Sequence, residues 1–341
     1  MSLLTVDNLS VDYRVADQWR NVLSNVSLTV EKGEVVGIVG ESGCGKTTLA
    51  RGLMRLLPRN GRVTAGRVVL DGLDLFTMPP KDFRSVQWDR ISMVFQGAMN
   101  VLDPVYPVGK QITEALHIHR KISRKEAWRT AEELLAGVGI DASRARSYPF
   151  ELSGGQKQRI GIAMAMALEP DLVVADEPTT ALDVVTQDII LGQLISVQRE
   201  KGFSLLIVSH DMGVIAESCD RVVVMYAGHV VETGPVREIF KRPAHPYTLG
   251  LINAIPRIGA GRHGVSIPGH PPAEPGAIAG CRFYARCPFR EEICRQAVPW
   301  VDVGPGHGEL CHFPGRREEF RAKAADPATW EPVGRRLVGV G

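Results

Sequence analysis

Gly40 to Thr47 reads GESGCGKT, and its residue types suit the holding of phosphate. The stretch fits G-x-x-x-x-G-K-[ST] and lies between the apolar run EVVGIVG and the leucine-spaced segment TTLARGLMRLL, the strand-then-helix context that motif requires. Gly43 and Gly45 let the backbone bend, so that successive N–H groups of the stretch from Gly40 through Ser42 and Cys44 to Thr48 face phosphate oxygens at the positive end of a helix. Lys46 adds a point charge. Two unit charges ~4 Å apart are worth about 4 kcal/mol at an effective dielectric near 20, so one lysine does not balance a triphosphate and a Mg2+ ion is expected, held by Thr47.

Two further stretches offer matching chemistry. DLVVADE closes an apolar run with Asp176 and Glu177, at the strand end where open α/β sheets bind ligands. Asp176 suits the Mg2+ shell through water, and Glu177 suits polarising an attacking water, a role worth roughly 10² to 10⁴ in rate. Without a phosphate loop nearby, such a pair reads as a solvated strand end. LSGGQKQR supplies a second anion-binding helix start: Ser153 caps the helix, while Gly154 and Gly155 leave its first turn, up to Gln156, open to phosphate.

Cys281, Cys287, Cys294 and Cys311 form the last candidate group. Their spacing lacks the paired C-x-x-C knuckles of structural zinc, yet four thiolates complete a shell for zinc or for an iron–sulfur cluster. Unligated thiols and disulfides are the other readings, and disulfides are disfavoured in a chain read as cytosolic. Cys219 reads as a buried small residue.

The elements that must position these groups alternate short β-rich runs, EVVGIVG, DLVVAD and FSLLIVSH, with helical stretches from Leu3 to about Gly234, which predicts an α/β core with strands covered on both faces. Leu49, Leu53 and Leu56 predict one helix, Ile160, Met164 and Leu168 another, and VVVMYAGHVVETG a hairpin turning at Ala227 and Gly228. Residues 97–170 predict an inserted helical subdomain. Past residue 240 a connector dense in Pro and Gly leads to a small Cys-bearing unit, so the expected division is 1–240 and 241–341. A net charge of +2 gives no electrostatic ground for a nucleic-acid partner. Neither an export signal nor a run of roughly 18 apolar residues is visible, so membrane association is expected through another protein.

Taken in order, the phosphate loop, LSGGQ, the acidic strand end, ALD at Ala181 to Asp183 and SHD around His210 resemble the ATP-binding cassette (ABC) family over residues 3 to about 240. The resemblance implies a P-loop NTPase with a RecA-like core, an antiparallel β subdomain and the helical insertion. It implies two cassettes paired head to tail, so that the Ser153 signature of one closes over the ATP of the other. Gln96 matches the glutamine that senses Mg2+ and water where the helical subdomain meets membrane subunits. His210 matches the γ-phosphate histidine, Asp183 the loop crossing between cassettes, and Tyr13 the aromatic that stacks on adenine. Cys44 stands where many members have serine, with thiol reactivity added, and Gly97 and Ala98 stand where peptide importers often have an acidic residue and proline.

HPYTLGLINAIP, IPGHPPAEPG and CRFYARCP resemble the C-terminal extension of oligopeptide, dipeptide and nickel importer cassettes, some of which hold a 4Fe-4S cluster on four such cysteines. The implied function is the ATPase subunit of an importer for peptides or a related solute. Its expected partners are a second ABC ATPase subunit, either a related chain or a second copy, two transmembrane permease subunits and an extracytoplasmic solute-binding protein. Its expected place is the cytoplasmic face of the inner membrane. Nickel as cargo, and a soluble cassette ATPase acting on nucleic acid or ribosomes, are the alternatives; the latter usually carries two cassettes, coiled coils or basic insertions, none of which this sequence shows.

Overall fold

The computed structural model describes residues 2–97, 101–179, 183–255 and 265–338. Among these, an antiparallel sheet runs in the order β2 (Gln18–Glu31), β1 (Ser2–Val15), β4 (Gly61–Leu70), β5 (Leu73–Asp74). A larger sheet of eight strands is built around β3 (Val35–Val39), flanked by β8 (Ser204–Val208), β7 (Leu172–Asp176) and β6 (Ile91–Val94) on one side. On the other side lie β9 (Arg221–Tyr226), β10 (His229–Pro235), β12 (His307–Leu310) and β11 (Trp300–Gly304).

β6, β7, β8, β3 and β9 run parallel, and the side-chain alternation of a strand explains their continuous apolar sequences. Val35, Val39, Val173, Ala175, Leu205 and Ile207 pack on one face, into the core shared with the helical subdomain and the C-terminal region. Val36, Ile38, Leu172, Val174, Leu206 and Val208 pack on the other, against the antiparallel sheet. Both faces are dry, so neither needs polar residues.

α1 (Lys46–Leu53) follows β3, and α2 (Pro80–Val86) precedes β6. Between β6 and β7 come α3 (Val108–His119), α4 (Arg124–Gly137) and α5 (Gly154–Ala165), the helical stretch expected there. α6 (Val184–Lys201) and α7 (Met212–Ser218) lead into β8 and β9, and α8 (Val236–Lys241) and α9 (Pro246–Ala254) follow β10. α10 (Arg317–Ala324) and α11 (Glu331–Val338) end the described chain. The predicted hairpin turns at Ala227 (φ 47°) and Gly228 (φ 84°). Two predicted helices run shorter than their leucine spacing: Leu56 lies beyond α1 and is exposed, while Leu168 lies beyond α5 yet stays buried.

The C-terminal region is not the separate small unit that its composition suggests. β12 pairs with β10, with Glu309 opposite Glu232, and so extends the main sheet. Phe283, Phe289, Phe320 and Trp330 belong to the same core as β3 and β7. Tyr226, Tyr247 and Phe283 meet ring to ring at 4.6, 5.2 and 5.4 Å between centroids. Trp330 is 2% exposed and donates its indole N–H to the Ala324 carbonyl at 3.1 Å. Trp330→Ala is therefore expected to lower unfolding free energy by about 3–5 kcal/mol in chemical denaturation, because a ring-sized void opens in a core continuous with the nucleotide sheet.

Candidate nucleotide site

The phosphate loop leaves β3 and enters α1 with Gly40, Gly43 and Gly45 at φ 152°, 79° and 104°. A Cβ on Gly40 would meet the Met225 carbonyl at 2.1 Å, and one on Gly45 would meet Leu23 at 2.6 Å, so the loop is pressed against β9 and β2. Ser42 and Gly43 are exposed, Thr48 is half-buried, and the open turn of the loop faces outward. Lys46, 5% exposed, folds back so that Nζ donates to the carbonyls of Gly40 (2.7 Å) and Glu41 (3.1 Å).

The groups expected to act on nucleotide converge at the C-terminal ends of β6, β7 and β8. Thr47 donates its hydroxyl to Asp176 at 3.1 Å, which puts the two predicted Mg2+ partners side by side. Burial pushes the Asp176 carboxyl above its ordinary range, a cost that the Thr47 hydrogen bond lessens and that a cation would remove. Glu177 directly follows β7 with a positive φ of 44°, anchored by its N–H to the Val208 carbonyl at 3.0 Å. Its carboxylate accepts from Gln96 Nε2 at 2.8 Å and lies 3.6 Å from His210 Nδ1. Two acidic groups, a hydroxyl, an amide and an imidazole from four sequence regions thus meet beside a lysine and a ring of backbone amides.

Ser153 and Gln156 form a capping box at the start of α5: Ser153 Oγ accepts from Gln156 N–H at 3.3 Å, and Gln156 Oε1 accepts from Ser153 N–H at 2.9 Å. Gly154 and Gly155 fill the first turn. α5 packs on α3, α4, α6 and β6, whereas α1 packs on β2, β7 and β8, so the two anion-binding helix starts belong to different layers. Asp183 caps α6, accepting from Thr186 N–H at 3.0 Å and Thr186 Oγ1 at 2.7 Å. Ala181 and Ala98 lie outside the described residues. Tyr13 lines an open cavity together with Trp19, Gly43, Arg51 and residues 271–277.

Cys44 departs from the expected added reactivity. Its side chain is fully buried under Gly40, and burial raises its pKa, so the thiol is shielded while the carbonyl accepts from Gly228 N–H at 2.9 Å. Cys219 is buried as predicted, its thiol pushed up to about 12. Cys281, Cys287, Cys294 and Cys311 are all free thiols and line one cavity beside Phe283 and Phe289. Burial pushes Cys281 to about 11 and Cys311 to about 12, and raises Cys287 well above the ordinary thiol range. Sulfur donors and a shared cavity suit a thiophilic group. However, among the described residues no three His, Cys, Asp or Glu side chains gather as a group that could hold a metal ion.

Two groups at the site escape the motifs. Glu41 places a carboxylate inside an anion-binding loop, and Arg286 of the C-terminal region pairs with it. The misplaced sign of Glu41 was the available signal, since an anion set into a phosphate cradle calls for a counter-ion.

A glycine-turned loop between a central parallel strand and a helix, with carboxylates at the neighbouring strand end, defines a P-loop nucleotide-binding protein. The ABC transporter family profile matches residues 23–180, and the profile for the C-terminal region of oligopeptide/dipeptide transporters matches residues 231–294. A probable peptide ABC transporter ATP-binding protein of Sinorhizobium fredii is 42% identical, over 91% of this chain and 94% of its own. The oligopeptide transport ATP-binding protein OppD of Salmonella typhimurium is 40% identical, over 92% and 94%. Among solved structures, the dimeric post-hydrolysis state of the cassette MJ0796 bound to ADP and Pi superposes with a TM-score of 0.62 at 29% identity, covering 69% of this chain and 99% of that one. The chain belongs to the ABC transporter family, as an ATP-hydrolysing, ATP-binding subunit whose C-terminal region is of the oligopeptide/dipeptide type. No helix among the described residues is long and apolar enough to cross a membrane.

With Cys44 and Cys219 buried and their thiols shifted upward, both are expected to resist alkylation by iodoacetamide at pH 8 in the folded protein and to react fully in denaturant, as read by mass spectrometry of labelled peptides.

Proposed function

We propose that this chain couples MgATP hydrolysis to the import of oligopeptides or dipeptides. The observation that carries the reading is the meeting of Gln96, Glu177 and His210 beside Lys46, Thr47 and Asp176 at the ends of three parallel strands. The amides from Gly40 to Thr48 and the Lys46 ammonium would bind the phosphates, with Lys46 exchanging its contacts to the loop carbonyls for phosphate oxygens. Thr47, Asp176 and Gln96 would hold Mg2+, which supplies charge neutralisation. Glu177, oriented by Gln96 and His210, would accept the proton of the attacking water, and Tyr13 would stack on adenine.

The separate placement of α1 and α5 favours a head-to-tail pair, in which Ser153, Gly154, Gly155 and Gln156 of one cassette close on nucleotide held by the other, with Asp183 near the crossing. The named relatives act in peptide transport, which supports two permease subunits and a solute-binding protein as further partners and the cytoplasmic face of the inner membrane as the place of work. We assign residues 1–240 to the cassette and 241–341 to the extension. We also propose a 4Fe-4S cluster on Cys281, Cys287, Cys294 and Cys311, supported by four free thiols on one cavity and by a resemblance to cluster-bearing extensions.

Glu177→Gln is expected to keep ATP binding and to lose about 10² to 10⁴ of turnover, measured as phosphate release beside nucleotide binding; near-normal turnover would remove Glu177 from the water-activating role. Protein purified without oxygen is expected to be brown and to contain about four irons per chain, whereas colourless, iron-free protein would reject the cluster.

A further inference from the structure

A partly buried ion pair ties the cysteine-bearing loop to the phosphate loop. Arg286, its side chain 3% exposed and adjacent in sequence to Cys287, forks onto the Glu41 carboxylate, with Nη1–Oε2 2.7 Å and Nη2–Oε1 3.0 Å. Its remaining donors are also engaged: Nε donates to the Pro268 carbonyl (2.9 Å), Nη2 to those of Gly269 (3.1 Å) and Ile267 (3.3 Å), and Nη1 to the Tyr226 hydroxyl (3.3 Å). Glu41 is held at its backbone as well, donating its N–H to the Tyr247 hydroxyl at 2.8 Å. The Glu41 carbonyl then accepts from Lys46 Nζ and, at 3.2 Å, from Cys44 N–H. The second residue of the phosphate loop is therefore fixed from outside the loop, by Tyr226, Tyr247 and Arg286.

The charge balance gives this contact a consequence for ligand binding. A carboxylate within an anion-binding loop repels phosphate and competes for the lysine. A planar guanidinium with every donor engaged cancels that charge in a fixed direction, leaving the Lys46 ammonium for the ligand. We propose that Arg286 is a positioning residue for ATP binding, which holds the phosphate loop through Glu41 and neutralises its carboxylate, so that the geometry of the cysteine-bearing loop sets nucleotide affinity. The inference rests on the reading that this loop binds MgATP.

The experiment titrates full-length protein with a fluorescent ATP analogue and Mg2+ and measures steady-state hydrolysis. Arg286→Ala is expected to weaken binding roughly tenfold, with the loss falling on KM rather than kcat. Adding Glu41→Gln to Arg286→Ala is expected to recover most of that affinity, because no uncompensated charge remains; a purely structural staple would not be rescued by removing a second contact. Should Arg286→Ala fail to fold, Arg286→Gln decides: it keeps a donor for the neighbouring carbonyls and loses the charge, and weaker binding that Glu41→Gln improves supports the assignment. Wild-type affinity in the variant that folds, or weakened affinity that Glu41→Gln leaves unimproved, would overturn it. Wild-type protein that binds no ATP would instead overturn the functional reading.

Discussion

Backbone amides can surround a phosphate only if the chain bends where side chains would obstruct the bend, and the bent loop then has to be held in place while it waits for its ligand. The stretch from Gly40 to Lys46 meets both conditions. Its glycines adopt positive φ values, with Gly40 flush against Met225 and Gly45 against Leu23, and Lys46 crosses the turn to bond its carbonyls. β3, from which the loop springs, lies between β8 and β9, with β7 next outward. That strand order brings Asp176 and Glu177 to the mouth of the loop. The catalytic geometry is thus a product of sheet topology, which the apolar alternation of the parallel strands secures.

A second theme is the way buried charge crosses between the two halves of the chain. Glu232 on β10, fully buried, accepts from the backbone of Ala244 and His245 at 2.8 and 2.9 Å and from His307 Nε2 at 2.8 Å. Its neighbour across the ladder, Glu309, is paired with Arg317 at 2.5 Å. Arg282 donates to Ser24 and to the Ala227 carbonyl, reaching back to β2 and the β9–β10 turn. In the Glu232–His307 and Arg282 contacts, as with Glu41 and Arg286, a polar group earlier in the chain is satisfied by a partner that comes after residue 280, whereas Glu309 and Arg317 both lie within that later stretch. A buried ion deprived of its partner costs several kcal/mol, so the two halves depend on each other electrostatically as well as through the shared apolar core.

Much of the cassette was legible in the sequence, and the reasons are local. A phosphate loop, a capped glycine-rich helix start and apolar strands ending in acid are each specified by neighbouring residues, so the positions of Lys46, Thr47, Ser153, Asp176 and Glu177 followed from spacing. The meeting of Gln96, Glu177 and His210 was legible only through the resemblance, because contacts spanning 81 residues leave no local trace. Helix ends were misjudged at Leu56 and Leu168, where an apolar residue beyond the last turn continued the spacing. The larger miss was the C-terminal region. Its density of Pro and Gly reads as a connector, and its strands are short; nothing local in HGEL indicates that it will pair with β10 and bury a glutamate at full depth. Arg286 stands beside cysteines that draw attention to metal chemistry, while its partner lies 245 residues earlier.

The pairing of β12 with β10 also bears on how the molecule is made. Synthesis proceeds from the N-terminus, so β10 and Glu232 leave the ribosome roughly 75 residues before His307 and Glu309. Through that interval the nascent cassette carries an unsatisfied strand edge and a carboxylate without its imidazole partner, and Glu41 lacks its guanidinium. β12 then covers the β10 edge, and His307 and Arg286 supply the missing charge partners. The strands that cover this edge are thus made after those of the nucleotide core, and a chain cut short before residue 300 retains a bare edge on β10, open to pairing with another chain.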